Sequence, residues 1–383
     1  MKYLKILLIF ILLFPTIVKG EDLKLAEGAK SAVLLETSTG EIIFEKNANE
    51  RQSPASMTKM MTMLLVMEAI EAGVLAWDDS VTASTNASSM GGSQILLEAN
   101  EQMSVKDLFK GVAIASGNDA AVALAEKIGG SESNFVTMMN RKVKELGLIN
   151  TNFKNVHGLD EENHYSTAYD MAMIAKELVK HEKVLEYSKI YEDYLRKGTP
   201  RELWLVNTNK LVRFYEGVDG LKTGYTNTAG YCLTATVKKN NMRLIAVVMG
   251  EADSQTRNKD ITEMFNYTYA QYELQTLLSK NDSVKEVTLE DAKEEKIKIV
   301  LKDDVTLLNR KMGTKLKTNY ELDVFPIKAP LKKGDIVGNL YLKSEGNIVR
   351  TIPLTIEKDI KKANFFELYV RYLKNIIGGN INF

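Results

Sequence analysis

The sequence has few of the residues on which disulfides and histidine-based metal sites depend. Among 383 residues there is one cysteine, Cys232, and there are three histidines, His157, His164 and His181. One cysteine cannot form an internal disulfide, so the stability of the chain must come from its packed cores. The histidines do not form the H-E-x-x-H pattern, which argues against a zinc hydrolase. We expect no metal and no other cofactor.

The sequence also lacks an excess of either charge. Fifty lysines and arginines balance 50 aspartates and glutamates, so the formal net charge is zero. Because no basic excess is available to neutralise phosphates, we expect no nucleic-acid partner. A chain of this length exceeds what one hydrophobic core usually spans, which predicts at least two domains.

The apolar run near the N-terminus is short. Residues 6–18 are apolar apart from Pro15 and Thr16, and Lys2 and Lys5 precede them. A membrane span needs about 20 apolar residues, so we interpret residues 1–20 as a secretory signal peptide that is cleaved before residue 21. The alternative is an uncleaved membrane anchor.

Strand patterns flank a helical middle. Residues 30–46 and 230–250 are predicted to be hairpins, and helical spacing fills much of the sequence between them, at 55–72, 104–115, 118–128, 132–146 and 167–180. Strands at both ends of a helical region indicate an α+β domain whose sheet joins distant parts of the chain. We place this domain at residues 21–275.

Two further segments follow. Short alternating runs predict a small β-rich domain at residues 276–358. In residues 359–383, apolar and aromatic side chains follow helical spacing among lysines and arginines, as in a helix that lies on a membrane surface. The alternative is a terminal helix that packs on its own domain.

The first chemical motif is Ser56-Met57-Thr58-Lys59. Pro54 and Ala55 precede it and a strongly apolar helical run follows, so Ser56 is predicted in or before the first helical turn, where backbone N–H groups are free. Lys59 follows three residues later on the same helix face. A lysine at the buried start of a helix has a lowered pKa and can accept a proton.

Two other motifs follow in order. Ser116-Gly117-Asn118 falls between two helical runs, where a hydroxyl and an amide can both point into a cleft. The other S-x-N matches, at residues 84–86 and 279–281, are interpreted as a loop and a linker. Lys222-Thr223-Gly224-Tyr225 precedes the strand at Tyr231, and a lysine and a threonine on a strand edge can bind a carboxylate.

Together these motifs resemble those of low-molecular-weight penicillin-binding proteins, the serine-type D-alanyl-D-alanine carboxypeptidases. The resemblance covers roughly residues 25–275 and includes Met90-Gly-Gly-Ser-Gln, Val156-His-Gly-Leu, Ser166-Thr-Ala-Tyr-Asp and Val218-Asp-Gly. It implies an antiparallel sheet with helices on both faces, then a small all-β domain and an amphipathic C-terminal helix.

The resemblance also implies roles for the residues of the first two motifs. Ser56 is expected to be the acylated nucleophile and Lys59 its base. Ser116 is expected to relay the proton to the leaving amine, and Asn118 to hold the substrate amide.

For the third motif, the resemblance implies that Lys222 and Thr223 bind the terminal carboxylate. Gly224 lets a ligand approach the backbone closely. The backbone N–H groups of Ser56 and Tyr225 are expected to form the oxyanion hole.

The function predicted from this resemblance is removal of the terminal D-alanine from peptidoglycan stem peptides, at the outer face of the cytoplasmic membrane, with β-lactam antibiotics as covalent inhibitors. A β-lactamase is the enzymatic alternative. It is disfavoured by S-G-N in place of S-D-N, and by a run from Glu145 to Asn150 that is one residue too long for E-x-x-L-N. A non-catalytic peptidoglycan-binding or scaffolding protein is the alternative outside the enzymes.

Overall fold

The computed structural model describes residues 23–313 and 316–377. The predicted signal peptide lies outside the described residues. The first part of the chain contains β1 (Ser31–Glu36), β2 (Ile42–Lys46), a 3₁₀ turn (Ala55–Thr58), α1 (Lys59–Glu71), β3 (Ser80–Thr82), α2 (Thr85–Ser88), β4 (Gln102–Ser104), α3 (Val105–Ala115), α4 (Asn118–Gly129), α5 (Glu132–Glu145), α6 (Ala168–Leu178), α7 (Glu182–Ser188), β5 (Glu192–Leu195), β6 (Leu203–Val206), α8 (Leu211–Phe214), β7 (Val218–Thr226), β8 (Gly230–Lys239), β9 (Met242–Glu251) and α9 (Ser254–Gln271).

A five-stranded antiparallel sheet organises this part. Its strand order is β2-β1-β9-β8-β7, so the first hairpin pairs with strands some 200 residues further along the sequence. Alternate residues of β1 enter different cores: Val33 and Leu35 pack with the helical core that contains α6, whereas Leu34 packs with Phe265 of α9. The sheet therefore carries helices on both faces, and the predicted α+β fold is confirmed.

Helix α1 lies inside the first core. Its residues from Lys59 to Met67 are all buried, because the helix is apolar around its whole circumference. The predicted helical segments match the observed helices to within a few residues at each end. The ends are fixed by side-chain caps where the chain offers them: Ser104 accepts a hydrogen bond from the N–H of Asp107, and Thr167 accepts one from that of Asp170.

The second part is mostly β-structure, as predicted. It contains β10 (Tyr272–Leu278), β11 (Ser283–Thr288), β12 (Lys296–Leu301), β13 (Val305–Arg310), β14 (Thr318–Val324), β15 (Gly338–Ser344), β16 (Asn347–Ile356) and α10 (Phe365–Ile377). Strands β11-β12-β16-β15-β14 form one sheet, β10 pairs with β13, and a separate core fills the space between. Arg350 joins this part to the first by donating to the carbonyl oxygen of Ser38 at 2.7 Å.

Helix α10 packs on the β-rich part through one face. Arg371 donates to the carbonyl oxygens of Glu290 and Ala292, and Lys293 pairs with Glu367 at 3.1 Å. The opposite face exposes the apolar side chains of Phe365, Phe366, Tyr369, Tyr372, Leu373, Ile376 and Ile377. Within residues 23–313 and 316–377, no helix is long and apolar enough to span a membrane.

Candidate active site

Ser56 lies in the 3₁₀ turn that precedes α1. This turn packs against β7, and Ser56 opens into a cavity of about 470 Å³. Among the residues that line it are members of all three predicted motifs and others from β6, β8 and α9: Ser56, Ser93, Ser116, Val206, Thr208, Lys210, Thr223, Gly224, Tyr225, Tyr231 and Arg257. The fold therefore brings the three motifs to one cavity.

Lys59 is fully buried beneath Ser56. Its Nζ lies 3.0 Å from Ser56 Oγ, 2.6 Å from Asn118 Oδ1 and 2.7 Å from the carbonyl oxygen of His157. Burial is the main cause that lowers the pKa of Lys59 well below 10.5, and the charge of Lys222 lowers it further.

Lys59 Nζ can make these three contacts in either protonation state, because an ammonium donates to all three oxygens and a neutral amine donates to two of them. Two of the partners, the Asn118 amide oxygen and the His157 carbonyl oxygen, can only accept. A neutral amine has two N–H groups to donate to them, so its lone pair is left to face the Ser56 hydroxyl. In that state the Ser56 hydroxyl can donate to the Lys59 lone pair, which is the arrangement a general base requires.

The S-G-N motif joins α3 to α4. Ser116 ends α3 with a φ of 65°, and its side chain faces the cavity. Asn118 begins α4 and is nearly fully buried: its Oδ1 accepts from Lys59, and its Nδ2 donates to the carbonyl oxygen of Gly91 at 2.7 Å. Asn118 thus ties the start of α4 to Lys59 and to the loop that follows α2.

The K-T-G motif lies on β7. Thr223 faces the cavity, and its hydroxyl lies 2.7 Å from that of Thr208. Lys222 is fully buried, with its Nζ 3.1 Å from the Thr223 carbonyl oxygen. Burial, followed by the charge of Arg257, lowers the pKa of Lys222 to about 7.

The end of β7 approaches the nucleophile closely. A Cβ on Gly224 would lie 2.9 Å from the carbonyl oxygen of Pro54 and 3.3 Å from the backbone nitrogen of Ser56. Only glycine allows this approach without displacing the turn. Tyr225, the next residue, is half exposed and lies against Tyr231, with ring centroids 4.4 Å apart.

Reasoning from the sequence missed several residues of this site. Arg257 lies in the first turn of α9 and lines the cavity, while Thr208 and Lys210 reach it from the segment after β6. Nothing near these residues in the sequence marks them, because their position depends on how the sheet brings α9 and β6 beside β7.

His157 and Gly158 support the turn that carries Ser56. A Cβ on Gly158, whose φ is 90°, would lie 1.8 Å from the carbonyl oxygen of Ala55. The His157 ring accepts a hydrogen bond from the N–H of Leu159, and burial lowers its pKa to about 4. It is therefore a neutral structural residue near pH 7, and its carbonyl oxygen, not its ring, contacts Lys59.

The fold and the arrangement of Ser56 with Lys59 define a class, the serine acyl-transfer enzymes of the penicillin-binding type. Residues 20–253 match the family model described as D-alanyl-D-alanine carboxypeptidase, and residues 272–362 match that of the C-terminal domain of penicillin-binding protein 5. The chain belongs to the D-alanyl-D-alanine carboxypeptidase family, and the predicted enzyme class is confirmed.

Individual relatives are similar to this chain along most of their length. D-alanyl-D-alanine carboxypeptidase DacF of Bacillus subtilis is 49% identical over 356 residues, which cover 93% of this chain and 90% of that protein. DacA of Escherichia coli is 34% identical, with 90% and 87% covered. Penicillin-binding protein 5 of Haemophilus influenzae has a similar structure, with a TM-score of 0.71, 34% identity, and 87% and 98% of the chains covered.

Proposed function

We propose that the chain removes the terminal D-alanine of peptidoglycan stem peptides through an acyl-enzyme on Ser56. The observation that carries this proposal is the buried Lys59 amine, whose Nζ lies 3.0 Å from Ser56 Oγ and whose other two partners are uncharged oxygens. We assign the reaction to residues 21–275, and the other two predicted segments, 276–358 and 359–383, to support and attachment.

In acylation, Lys59 takes the proton of Ser56 while Oγ attacks the carbonyl carbon of the penultimate D-alanine. The negative oxygen that forms is stabilised by the backbone N–H groups of Ser56 and Tyr225. Ser116 then passes a proton to the amine of the leaving D-alanine, and the C–N bond breaks. Water attacks the ester in the second half, which releases the shortened peptide and restores Ser56.

In this proposal, a hydroxyl and two cationic side chains together bind the substrate carboxylate. Thr223 offers its hydroxyl from the cavity wall and Arg257 its guanidinium, while the buried Lys222 adds positive charge beside them. Asn118 uses one hydrogen of its Nδ2 for the Gly91 carbonyl oxygen. The second hydrogen remains for the substrate amide oxygen.

Labelled penicillin tests the nucleophile. A solved relative, penicillin-binding protein D2 of Listeria monocytogenes (30% identical), is described in an ampicillin-bound form. We expect a penicillin adduct on Ser56 by peptide mass spectrometry, and loss of both the adduct and D-alanine release in Ser56→Ala. An adduct on Ser84 or Ser116 would contradict the assignment.

The same assay separates the alternatives. A β-lactamase would lose the penicillin adduct rapidly by hydrolysis, whereas a carboxypeptidase releases it slowly. A scaffolding protein would bind stem peptides without releasing D-alanine.

We further propose that the mature protein is exported and held at the membrane surface by α10. The exposed apolar face supports this, together with Lys361, Lys362 and Lys374, which are exposed and can approach anionic lipids. Arg371, which was expected among the lipid-facing charges, instead binds backbone carbonyls of the β-rich part. It holds the helix in place.

Vesicle sedimentation tests the attachment. Ile376→Glu on α10, where the side chain is 57% exposed, should greatly reduce pelleting with anionic vesicles, because it places a charge on the apolar face. Ile348→Glu on β16, at 55% exposure, is the matched control and should pellet normally. Deletion of residues 359–383 should leave a soluble protein that still acylates Ser56. Equal pelleting of the two variants would contradict the proposal.

A further inference from the structure

The β5–β6 hairpin is a rigidly held projection beside the active-site cavity. Arg196 in its loop donates to Glu101 and to the carbonyl oxygen of Ile95, and Arg201 also binds Glu101. On β5, Asp193 forms an ion pair with the mostly buried Lys110 of α3. With these attachments at its loop and on β5, the side chains it displays have defined positions.

Two aromatic side chains stand on the open side of this hairpin. Trp204 of β6 is 56% exposed, and Tyr194, its cross-strand partner on β5, is 40% exposed. The only other tryptophan in the sequence, Trp77, packs instead against Phe109 and Tyr187. An exposed tryptophan on a rigid hairpin leaves a large apolar surface in water, which indicates a ligand.

The aromatic pair is continuous with the active-site cavity. Side chains alternate along a strand, so Trp204 shares a face with Val206, whereas Leu205 is buried on the other face. Val206 lines the cavity. Two residues of strand span about 7 Å, so Trp204 stands one side-chain repeat outside the cavity wall.

We propose that Trp204 and Tyr194 bind a sugar ring of the glycan strand to which the stem peptide is attached. This inference rests on the proposed function. If the cavity holds the end of the stem peptide, the rest of the peptidoglycan must extend out of the cavity across its rim. The C–H face of a pyranose stacks on an aromatic ring, and the sugar hydroxyls remain in water.

The size and surroundings of the patch favour a sugar over a protein. Each aromatic side chain offers on the order of 150–250 Å² in total, whereas a specific protein interface buries about 800 Å² per partner. Charged residues border the pair, including Lys197, whose Nζ lies 6.0 Å from the Tyr194 ring centre, and Arg201. A small apolar surface with a charged border fits one or two rings of a polar polymer.

Kinetics with and without the sugar tests this subsite. We compare kcat/KM for a disaccharide-pentapeptide with that for the same pentapeptide without sugars. Trp204→Ala should lower the first value by about 3- to 10-fold, the range expected for one stacking contact, and leave the second within about twofold. Trp204→Phe should retain most of the preference. Tyr320→Ala, at the same 56% exposure on β14, should change neither value.

A binding measurement separates failure of this inference from failure of the proposed reaction. On a Ser56→Ala background, calorimetry should show that Trp204→Ala weakens the disaccharide-pentapeptide by the same 3- to 10-fold and leaves the pentapeptide unaffected. This result does not depend on turnover. An equal loss of affinity for both ligands would mean that Trp204 contacts the peptide or supports the fold. No loss of affinity for either ligand would mean that Trp204 binds neither. Both outcomes overturn the proposal.

Discussion

Exchange of each buried lysine for arginine separates the two roles that we propose for them. Arginine stays protonated, so Lys59→Arg retains the positive charge and loses the base, whereas Lys222→Arg retains what a carboxylate needs. Arginine is preferable to alanine at residue 59. Alanine would leave the acceptors on Asn118 and His157 unpaired, at about 1–3 kcal/mol each, and a loss of folding would then obscure the chemistry.

The rate losses expected for the two variants differ by one or more orders of magnitude. Loss of a positioned general base costs about 10²–10⁴-fold in rate. This range corresponds to about 2.7–5.4 kcal/mol in the acylation barrier of Lys59→Arg. Lys222 does not line the cavity, and Thr223 and Arg257 both reach the carboxylate site, so Lys222→Arg should cost about tenfold at most, about 1.4 kcal/mol.

The assay is the second-order rate constant for acylation by labelled penicillin, measured beside a thermal melt of each variant. Both variants must show a cooperative melt close to that of the wild type for the comparison to hold. Equal rate losses in two folded variants would refute the division of roles. Near-normal labelling of Lys59→Arg would refute the assignment of the base itself.

Three further predictions follow from the same contacts. Acylation by the wild type should rise with pH along a limb centred well below pH 10.5, because burial lowers the pKa of Lys59 and only the neutral amine is active; a rate that still increases at pH 10 would contradict this. Gly158→Ala should lower both the Tm and the acylation rate, because the added Cβ would meet Ala55. Gly147→Ala is the control, since Gly147 has a similarly positive φ but open space around it. Equal losses in the two variants would show that backbone strain alone is responsible. Glu251→Gln should raise the Tm more at pH 8.5 than at pH 5. Burial, followed by a neighbouring carboxylate, raises the pKa of Glu251 from 4.5 to about 8. Between these pH values the native state therefore binds more protons than the unfolded chain and loses stability as the pH rises. A Tm increase independent of pH would argue against this cause.

The features that depend on local pattern could be predicted from the sequence. The i, i+3 spacing of Ser56 and Lys59 places both on one face of the first helical turns, and the observed contact is 3.0 Å. Ser116 and Asn118 occupy the junction of two helices because Ser-Gly-Asn suits a chain reversal there. The joining of the first hairpin to strands at the other end of the domain also follows from the pattern, because strand runs flank a helical middle.

The features that depend on how the elements pack could not be predicted. Lys222 is fully buried and does not line the cavity, whereas Thr223, the next residue on β7, does line it, and the motif alone does not predict this difference. Arg257 reaches the cavity because α9 starts just after β9, whose end pairs with the start of β8 at Tyr231. Gly158 is required by the carbonyl oxygen of Ala55, which is about 100 residues away in sequence. Close approaches between segments that are distant in sequence produce no periodic pattern in the sequence.

The lowered pKa of Lys59 depends on which oxygens surround it. Its other two partners, the Asn118 amide and the His157 carbonyl, carry no charge. A carboxylate in either place would raise the pKa and keep the amine protonated. Such a group is close by, since Asp119 follows Asn118, but its oxygens accept from the N–H groups of Ile95 and, at 3.0 Å, of Leu97. Asp119 therefore holds the loop that precedes β4 instead of pairing with Lys59, and its charge raises the pKa of Lys59 less than burial and Lys222 lower it. The uncharged amide at residue 118 suits the role of base that we propose for the lysine.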